Sequence, residues 1–193
     1  ISCRYKSFDL SILLQGAATG YAMLTRDLPS LGEISNHASF KTAQIFDRNG
    51  TLLWEFYDPD GGKRTVVPLD EISQNLIDAS LAAEDAFFYQ HRGVDLRATI
   101  RSAFITGSGS STTGASTITQ QLVRNVILSP EERKQVTITR KLREIILAYQ
   151  LDEKLSKDQI LEMYLNEVYY GNQSYGVEAA AQDYFDVHAR DLD

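Results

Sequence analysis

Cysteine is almost absent from this chain of 193 residues: Cys3 stands alone. A single thiol closes no intramolecular disulfide and makes no metal site, which excludes a disulfide-stapled mini-fold and a zinc domain. An excess of positive charge is also missing. Nineteen Lys and Arg face 26 Asp and Glu, a net charge of −7, whereas a general nucleic-acid binder needs a basic surface to neutralise phosphates. Long apolar runs are scarce as well. The most apolar N-terminal stretch, Ile12 to Leu24, contains Gln15 and is flanked by Asp9 and Arg26. It falls short of the roughly 20 residues that a spanning helix needs. It reads either as a short amphipathic lead-in or as the end of a membrane anchor. What is present is 43% hydrophobic and 23% charged, the composition of a packed globular protein of one domain or one domain plus an appendage. The chain begins at Ile1 and stops in the charged run Arg190-Asp191-Leu192-Asp193, as expected of a piece of a longer protein.

Three regions follow from the patterning: a lead-in over 1–40, a hairpin region over 41–67 and a helical domain over 68–193. In the second, two β-rich runs flank Asn49-Gly50, the dipeptide suited to a type I′ turn. Arg64 to Val67 would add a third strand. After Pro68 the period becomes helical, with Ile72, Leu76, Ile77, Ala83 and Phe87 on one stripe and Asp70 as N-cap, ending near His91-Arg92-Gly93. A second helix begins after Asp95. The Gly/Ser/Thr tract from Thr106 to Ser116 has the composition of a mobile loop. Ser116 caps a helix through Ile118, Leu122 and Val126, a long helix runs from about Glu131 to Lys154, and Ser156-Lys157-Asp158-Gln159 has capping-box form. Gly171 and Gly176 bracket a turn before a last helix over Val177 to Phe185.

The net charge conceals its distribution. Between Arg97 and Arg143 eight cations face only Glu131 and Glu132, a local charge of +6 that leaves −13 on the remaining residues. From Arg97 through Pro130 there is no acid. Such a window suits an anionic ligand; the plainer reading is a solvated basic face. Two carboxylates stand out against it. Glu84, within Leu81-Ala82-Ala83-Glu84-Asp85-Ala86-Phe87-Phe88, has apolar neighbours that would dehydrate it and make it a better proton acceptor, or else it is an ordinary helix-end glutamate. Glu144 shares one helix face with Arg140 and Lys141, a spacing that by itself most often marks a surface ion-pair cluster. Tyr164, Tyr169, Tyr170 and Tyr175 either stack on sugars or fill core and surface.

Four segments together resemble one family. Glu84-Asp85 with Phe88, His91 and Gly93, then Gly114-Ala115-Ser116-Thr117-Ile118-Thr119-Gln120-Gln121, then Arg140-Lys141 with Glu144, then Ile160-Leu161-Glu162 with Tyr164-Leu165-Asn166 resemble the ordered signature of the peptidoglycan glycosyltransferases, family 51. The resemblance covers about Ala43 to Val187. It implies a mainly α, lysozyme-like module preceded by a small hairpin, incomplete at its C-terminus. It also implies polymerisation of lipid II into β-1,4-linked glycan at the outer face of the cytoplasmic membrane, with inversion and release of undecaprenyl pyrophosphate. Partners would be lipid II, the growing glycan and other cell-wall proteins, with no nucleic acid.

In that resemblance Glu84 is the general base and Glu144 the second essential carboxylate, acting at the donor pyrophosphate through neighbouring cations or a bound Mg or Mn ion. Arg101, Arg124, Arg140 and Lys141 are the matching cations, with Arg124 where many members carry Lys. Ser116, Thr117, Gln120 and Gln121 would donate to phosphate or sugar from a helix N-terminus that favours anions. Asp85, Phe88, His91, Tyr164 and Asn166 complete the expected substrate-binding set, and the Thr106-to-Gly114 tract corresponds to a mobile gate. A lysozyme-like glycan hydrolase and a catalytically silent cell-wall scaffold are the alternatives; the first would also use a catalytic Glu but has little need of an acid-free cationic window, and the second has no need of Glu84 and Glu144.

Overall fold

The hairpin expected around Asn49-Gly50 forms, but with a different turn. Strands β1 (Ala43–Phe46) and β2 (Leu52–Phe56) are antiparallel. Ile45 pairs with Trp54, the register a two-residue turn would set, yet a bulge shifts the ladder and Phe46 pairs with Leu52. The connection therefore spans 47–51, and Asp47 Oδ1 accepts a 2.7 Å hydrogen bond from Asn49 N, an Asx-type turn. This computed structural model describes residues 15, 18–22, 25–26, 43–49, 52–56, 62–99, 101 and 116–193. The expected third strand is shorter and joins elsewhere: β3 (Lys63–Arg64) runs parallel to β4 (Ser174–Tyr175) in a separate two-stranded sheet.

Helix α1 (Gln74–Glu84) starts later and ends earlier than its apolar stripe predicts. A 3₁₀ turn, Leu69–Glu71, precedes it, and Ser73 rather than Asp70 occupies the N-cap position. At its other end Asp85 leaves helical geometry at φ −160° and is buried. The stripe consequently slips: Phe87 is 57% exposed, while Phe88, in a second 3₁₀ turn (Phe88–Gln90), enters the core. Residues 96–99 turn helical behind Asp95, whose Oδ1 accepts from Arg97 N and Ala98 N at 2.8 and 3.0 Å. Apart from Ser116, the Thr106-to-Ser116 tract lies outside the described residues.

Helix α2 (Ile118–Val126) is capped by Thr117, one residue later than expected, through a reciprocal box with Gln120. The single helix expected over 131–154 is two, α3 (Pro130–Lys134) and α4 (Ile138–Lys154). Between them Val136 is 94% exposed and has no core to face, while the Thr137 hydroxyl accepts from Arg140 N and starts a new helix. Helices α5 (Lys157–Glu167), with its Ser156–Gln159 box, and α6 (Val177–Phe185) fall where the sequence places them. Gly176 enters α6 at φ +81°, where a Cβ would stand 2.7 Å from the Asn166 carbonyl oxygen, so only glycine fits without displacement.

The fold is mainly helical, as expected, and α2 is its centre: it packs against both α4 and α5. Ile118, Leu122, Leu147, Leu151, Ile160 and Leu161 are fully buried there, each worth about 1.5–3 kcal/mol of apolar burial. The approach to α1 is pinned to this centre from outside. Asn166 Oδ1 accepts from Val67 N at 2.9 Å, Asn166 Nδ2 donates to Val67 O at 2.8 Å, and Glu162 Oε2 accepts from Leu69 N at 2.9 Å. Ser73 N donates to Ala189 O at 3.0 Å, and buried Glu178 in turn accepts from Ala189 N at 2.8 Å. Among the described residues no helix is long and apolar enough to cross a membrane.

Candidate active site

The break at Asp85 organises the site. Its carboxylate lies 2.9 and 3.0 Å from His91 Nε2 and accepts from Ile118 N at 3.1 Å. It thereby joins the end of α1, the His91 loop and the first turn of α2. The Thr117 hydroxyl adds a second tie, donating to Gly93 O at 2.6 Å. This narrows one expectation: at the N-terminus of α2, Asp85 and the Thr117–Gln120 box already take the N–H groups of Thr117, Ile118 and Gln120. Asp85, Thr117 and Gln120 are buried and hold the scaffold. Phe88 is likewise a core residue, with Lys157 Nζ 4.6 Å from its ring centroid. Asn166 spends its amide on the Val67 backbone and on Glu162 O. The expected substrate-binding roles of Phe88 and Asn166 therefore give way to packing and clamping.

The two carboxylates occupy opposite environments, and the assignment is the reverse of the expected one. Glu84, the last residue of α1, is exposed, as are Ala82, Ala83 and Phe87, so its apolar neighbours do not dehydrate it. Its Oε2 accepts a 2.7 Å hydrogen bond from Gln121 Nε2. Gln121 Oε1 in turn lies 3.4 Å from the Tyr164 hydroxyl. Glu144 is the dry carboxylate, 1% exposed. One oxygen is bound by Arg140 NH1, and the other lies 3.4 Å from Lys141 Nζ. A carboxylate held this way is an internal ion cluster whose partners must stay in place, not the surface pair that the spacing alone suggests.

Lys141 connects this cluster to the first turn of α2, donating to Ser116 Oγ at 2.7 Å and to Gln120 Oε1 at 3.1 Å. Burial pushes its ammonium below the usual lysine range; Glu144 opposes the shift, while the Arg124 and Arg140 charges add to it. Arg124, in the last turn of α2, makes no hydrogen bond or ion pair with the other described residues. Its charge reaches Lys141 on one side and the Tyr164 hydroxyl on the other. Burial, then the Glu84 charge, drives the Tyr164 phenol above its ordinary value. Tyr170 is pushed up to about 12, chiefly by burial, with Glu84 adding to it against a hydrogen bond from Ser80. The result is a continuous line of polar groups from Glu84 through Gln121 and Ser116 to Lys141, Glu144 and Arg140, with the Arg124 charge reaching Lys141 and Tyr164.

A transglycosylase family model matches residues 49–193. The chain belongs to the transglycosylase family. Among similar proteins are the penicillin-binding proteins 1A of Vibrio cholerae, 40% identical over 190 residues, and of Rickettsia conorii, 38% identical over 193. The protein of the same name from Escherichia coli K12 is 40% identical over 178 residues. The alignments take in 96%, 97% and 90% of this chain but only 22%, 24% and 20% of those relatives.

In this transglycosylase module Glu84, Ser116, Gln121, Arg124, Arg140, Lys141, Glu144 and Tyr164 come together. Arg101 does not join them: it lines a cavity of about 1180 Å³ with Leu96, Arg97, Ile145 and Tyr149, and His91 reaches the same wall. Sequence reasoning named Tyr170 only among tyrosines for stacking or packing; its hydroxyl lies within electrostatic reach of Glu84, and its hydrogen-bond partner Ser80 was missed. No local pattern signals a pairing between a residue of α1 and one that far along the chain.

Proposed function

We propose that the module is a peptidoglycan glycosyltransferase acting on lipid II at the outer face of the cytoplasmic membrane. Supporting this reading is one observation above the others: an exposed carboxylate and a buried, cation-paired carboxylate share one site, with the charge of Arg124, whose side chain pairs with no other described residue, reaching both Lys141 and Tyr164. Glu84 accepts the proton of the acceptor sugar's 4-hydroxyl as that oxygen bonds to C1 of the donor N-acetylmuramic acid from the opposite face. The C1–O bond to the lipid pyrophosphate breaks, and its electron pair leaves with the pyrophosphate. Arg124, Lys141 and Arg140 stabilise that developing charge, and Glu144 holds the last two in place.

The described residues offer no site at which protein side chains alone would hold a divalent ion. Glu144 faces two cations, and among the described residues no group of three His, Cys, Asp or Glu side chains converges. No step is routed through a metal.

The deciding experiment supplies lipid II to the full-length protein and to Glu84→Gln and Glu144→Gln variants, with and without a chelator. Polymer from the parent, and a loss of about 10²-fold or more with Glu84→Gln, fits the reading. Cleavage of finished glycan without elongation points to a hydrolase. Lipid II binding without polymer, indifferent to Glu84→Gln, points to a scaffold.

A further inference from the structure

The geometry points to Gln121 as a positioning residue that fixes the rotation of the Glu84 carboxylate and so selects Oε1 as the atom that takes the acceptor's proton. The inference rests on the reading of Glu84 as general base. An amide side chain can sit either way round, and its neighbours decide. Gln121 Nε2 faces two groups that can only accept, Glu84 Oε2 at 2.7 Å and the Ser116 carbonyl at 3.5 Å. Its Oε1 faces the Tyr164 hydroxyl at 3.4 Å, a donor because burial and the Glu84 charge keep that phenol protonated. Two acceptors on one side and a donor on the other leave a single orientation, with the NH₂ toward Glu84. The flipped amide would set oxygen against oxygen.

The consequence falls on the carboxylate. With Oε2 occupied, Oε1 is the oxygen that accepts no hydrogen bond among the described residues. An exposed glutamate at a helix end would otherwise rotate freely, so the amide supplies the order that burial does not. Tyr164 acts one step further out. It is rooted in the core on α5, and its hydroxyl reaches Gln121 and not Glu84. Among the described residues, the titratable groups that sense the Glu84 charge are Tyr164 and Tyr170, and the Arg124 and Asp85 charges also reach Tyr164.

The test uses the full-length protein with lipid II as substrate, comparing Gln121→Ala, Gln121→Glu, Tyr164→Phe and the Gln121→Ala/Tyr164→Phe pair. Loss of positioning lowers kcat of Gln121→Ala by about ten- to a hundredfold with little change in KM. Gln121→Glu, where a carboxylate that donates no hydrogen bond faces the first, loses at least as much kcat. Tyr164→Phe lowers kcat less, and in the double variant its effect disappears, because it acts only through Gln121.

Additive losses, or a raised KM at unchanged kcat, would each overturn the positioning role. Thermal melting identifies any variant that fails to fold, and Gln121, half-buried at the site, gives a variant free of the core risk carried by Tyr164. Glu84→Gln run alongside separates the two claims. If it retains activity, the base is elsewhere; if it is dead while Gln121→Ala is unaffected, Glu84 is the base and its rotation is set by other means.

Discussion

A Cβ on Gly93 would collide with the carbonyl oxygen of Ala148 on α4. Gly93 also stands at φ +71°, and its own carbonyl accepts from Thr117. Backbone thus lies against backbone where the His91 loop crosses the core, with the cap of α2 bonded to the same residue. Gly93→Ala is expected to combine left-handed strain with overlap and to cost about 3 kcal/mol. Urea unfolding measures this, and a loss below about 0.5 kcal/mol would mean that the crossing relaxes easily.

The buried Glu144 makes its cations hard to study one at a time. Arg140→Gln alone strips a dry carboxylate of a partner and is expected to destabilise the fold by about 3 kcal/mol. Converting Arg140, Lys141 and Glu144 together to glutamines removes the charge as well as its partners, and should restore much of that stability while abolishing binding of a pyrophosphate-bearing glycolipid. Calorimetric melting alongside glycolipid titration checks both halves; a triple variant no more stable than Arg140→Gln contradicts the argument.

Lys141 gives a pH signature. Burial lowers the folded-state pKa below the ordinary 10.5, so in the free protein the lysine loses its proton at lower pH than an exposed one. A bound pyrophosphate would pull the pKa back up. Affinity for the anion therefore falls as pH rises past the free-protein pKa, before 10.5 is reached. The stability sign is opposite: the unfolded chain binds the extra proton between the two pKa values, so this group's contribution rises with pH across that window. Titrating glycolipid binding from pH 7 upward tests the first statement, and flat affinity through pH 10.5 refutes it.

Asn166 separates clamping from substrate binding. Removing its amide leaves the Val67 N–H and carbonyl without partners, so Asn166→Ala should cost about 2 kcal/mol and leave the KM for lipid II unchanged. Steady-state kinetics at a temperature well below melting reads the second half. A large rise in KM with an unaltered melting temperature would return Asn166 to the substrate.

What the sequence made legible was local. The Ser156–Gln159 box, α6 and the run of cations could be read because each depends on neighbours three or four residues apart. The extent of α1 could not. Its stripe continues through Phe87, but Asp85 reaches His91 and the Ile118 amide, and those distant partners outweigh the helical period. The split between α3 and α4 escaped for the same reason, since Thr137 caps only where Val136 finds nothing to pack on. For the site, motif order located Glu84 and Glu144, while their environments were exchanged. Exposure at Glu84 and burial at Glu144 depend on how α2 seats against α1 and α4, which composition around a residue does not encode.

The segment that leads into α1 is held entirely by what comes after it. Val67 and Leu69 wait for Asn166 and Glu162, Ser73 waits for Ala189 and Leu192, and Glu84 waits for Gln121. A chain emerging N-terminus first would thus make this segment early and anchor it late. The clamps on Val67 and Leu69 then stay unmade through the synthesis of the 99 and 93 residues that separate them from Asn166 and Glu162, an interval in which a chaperone or a neighbouring chain has access to the segment.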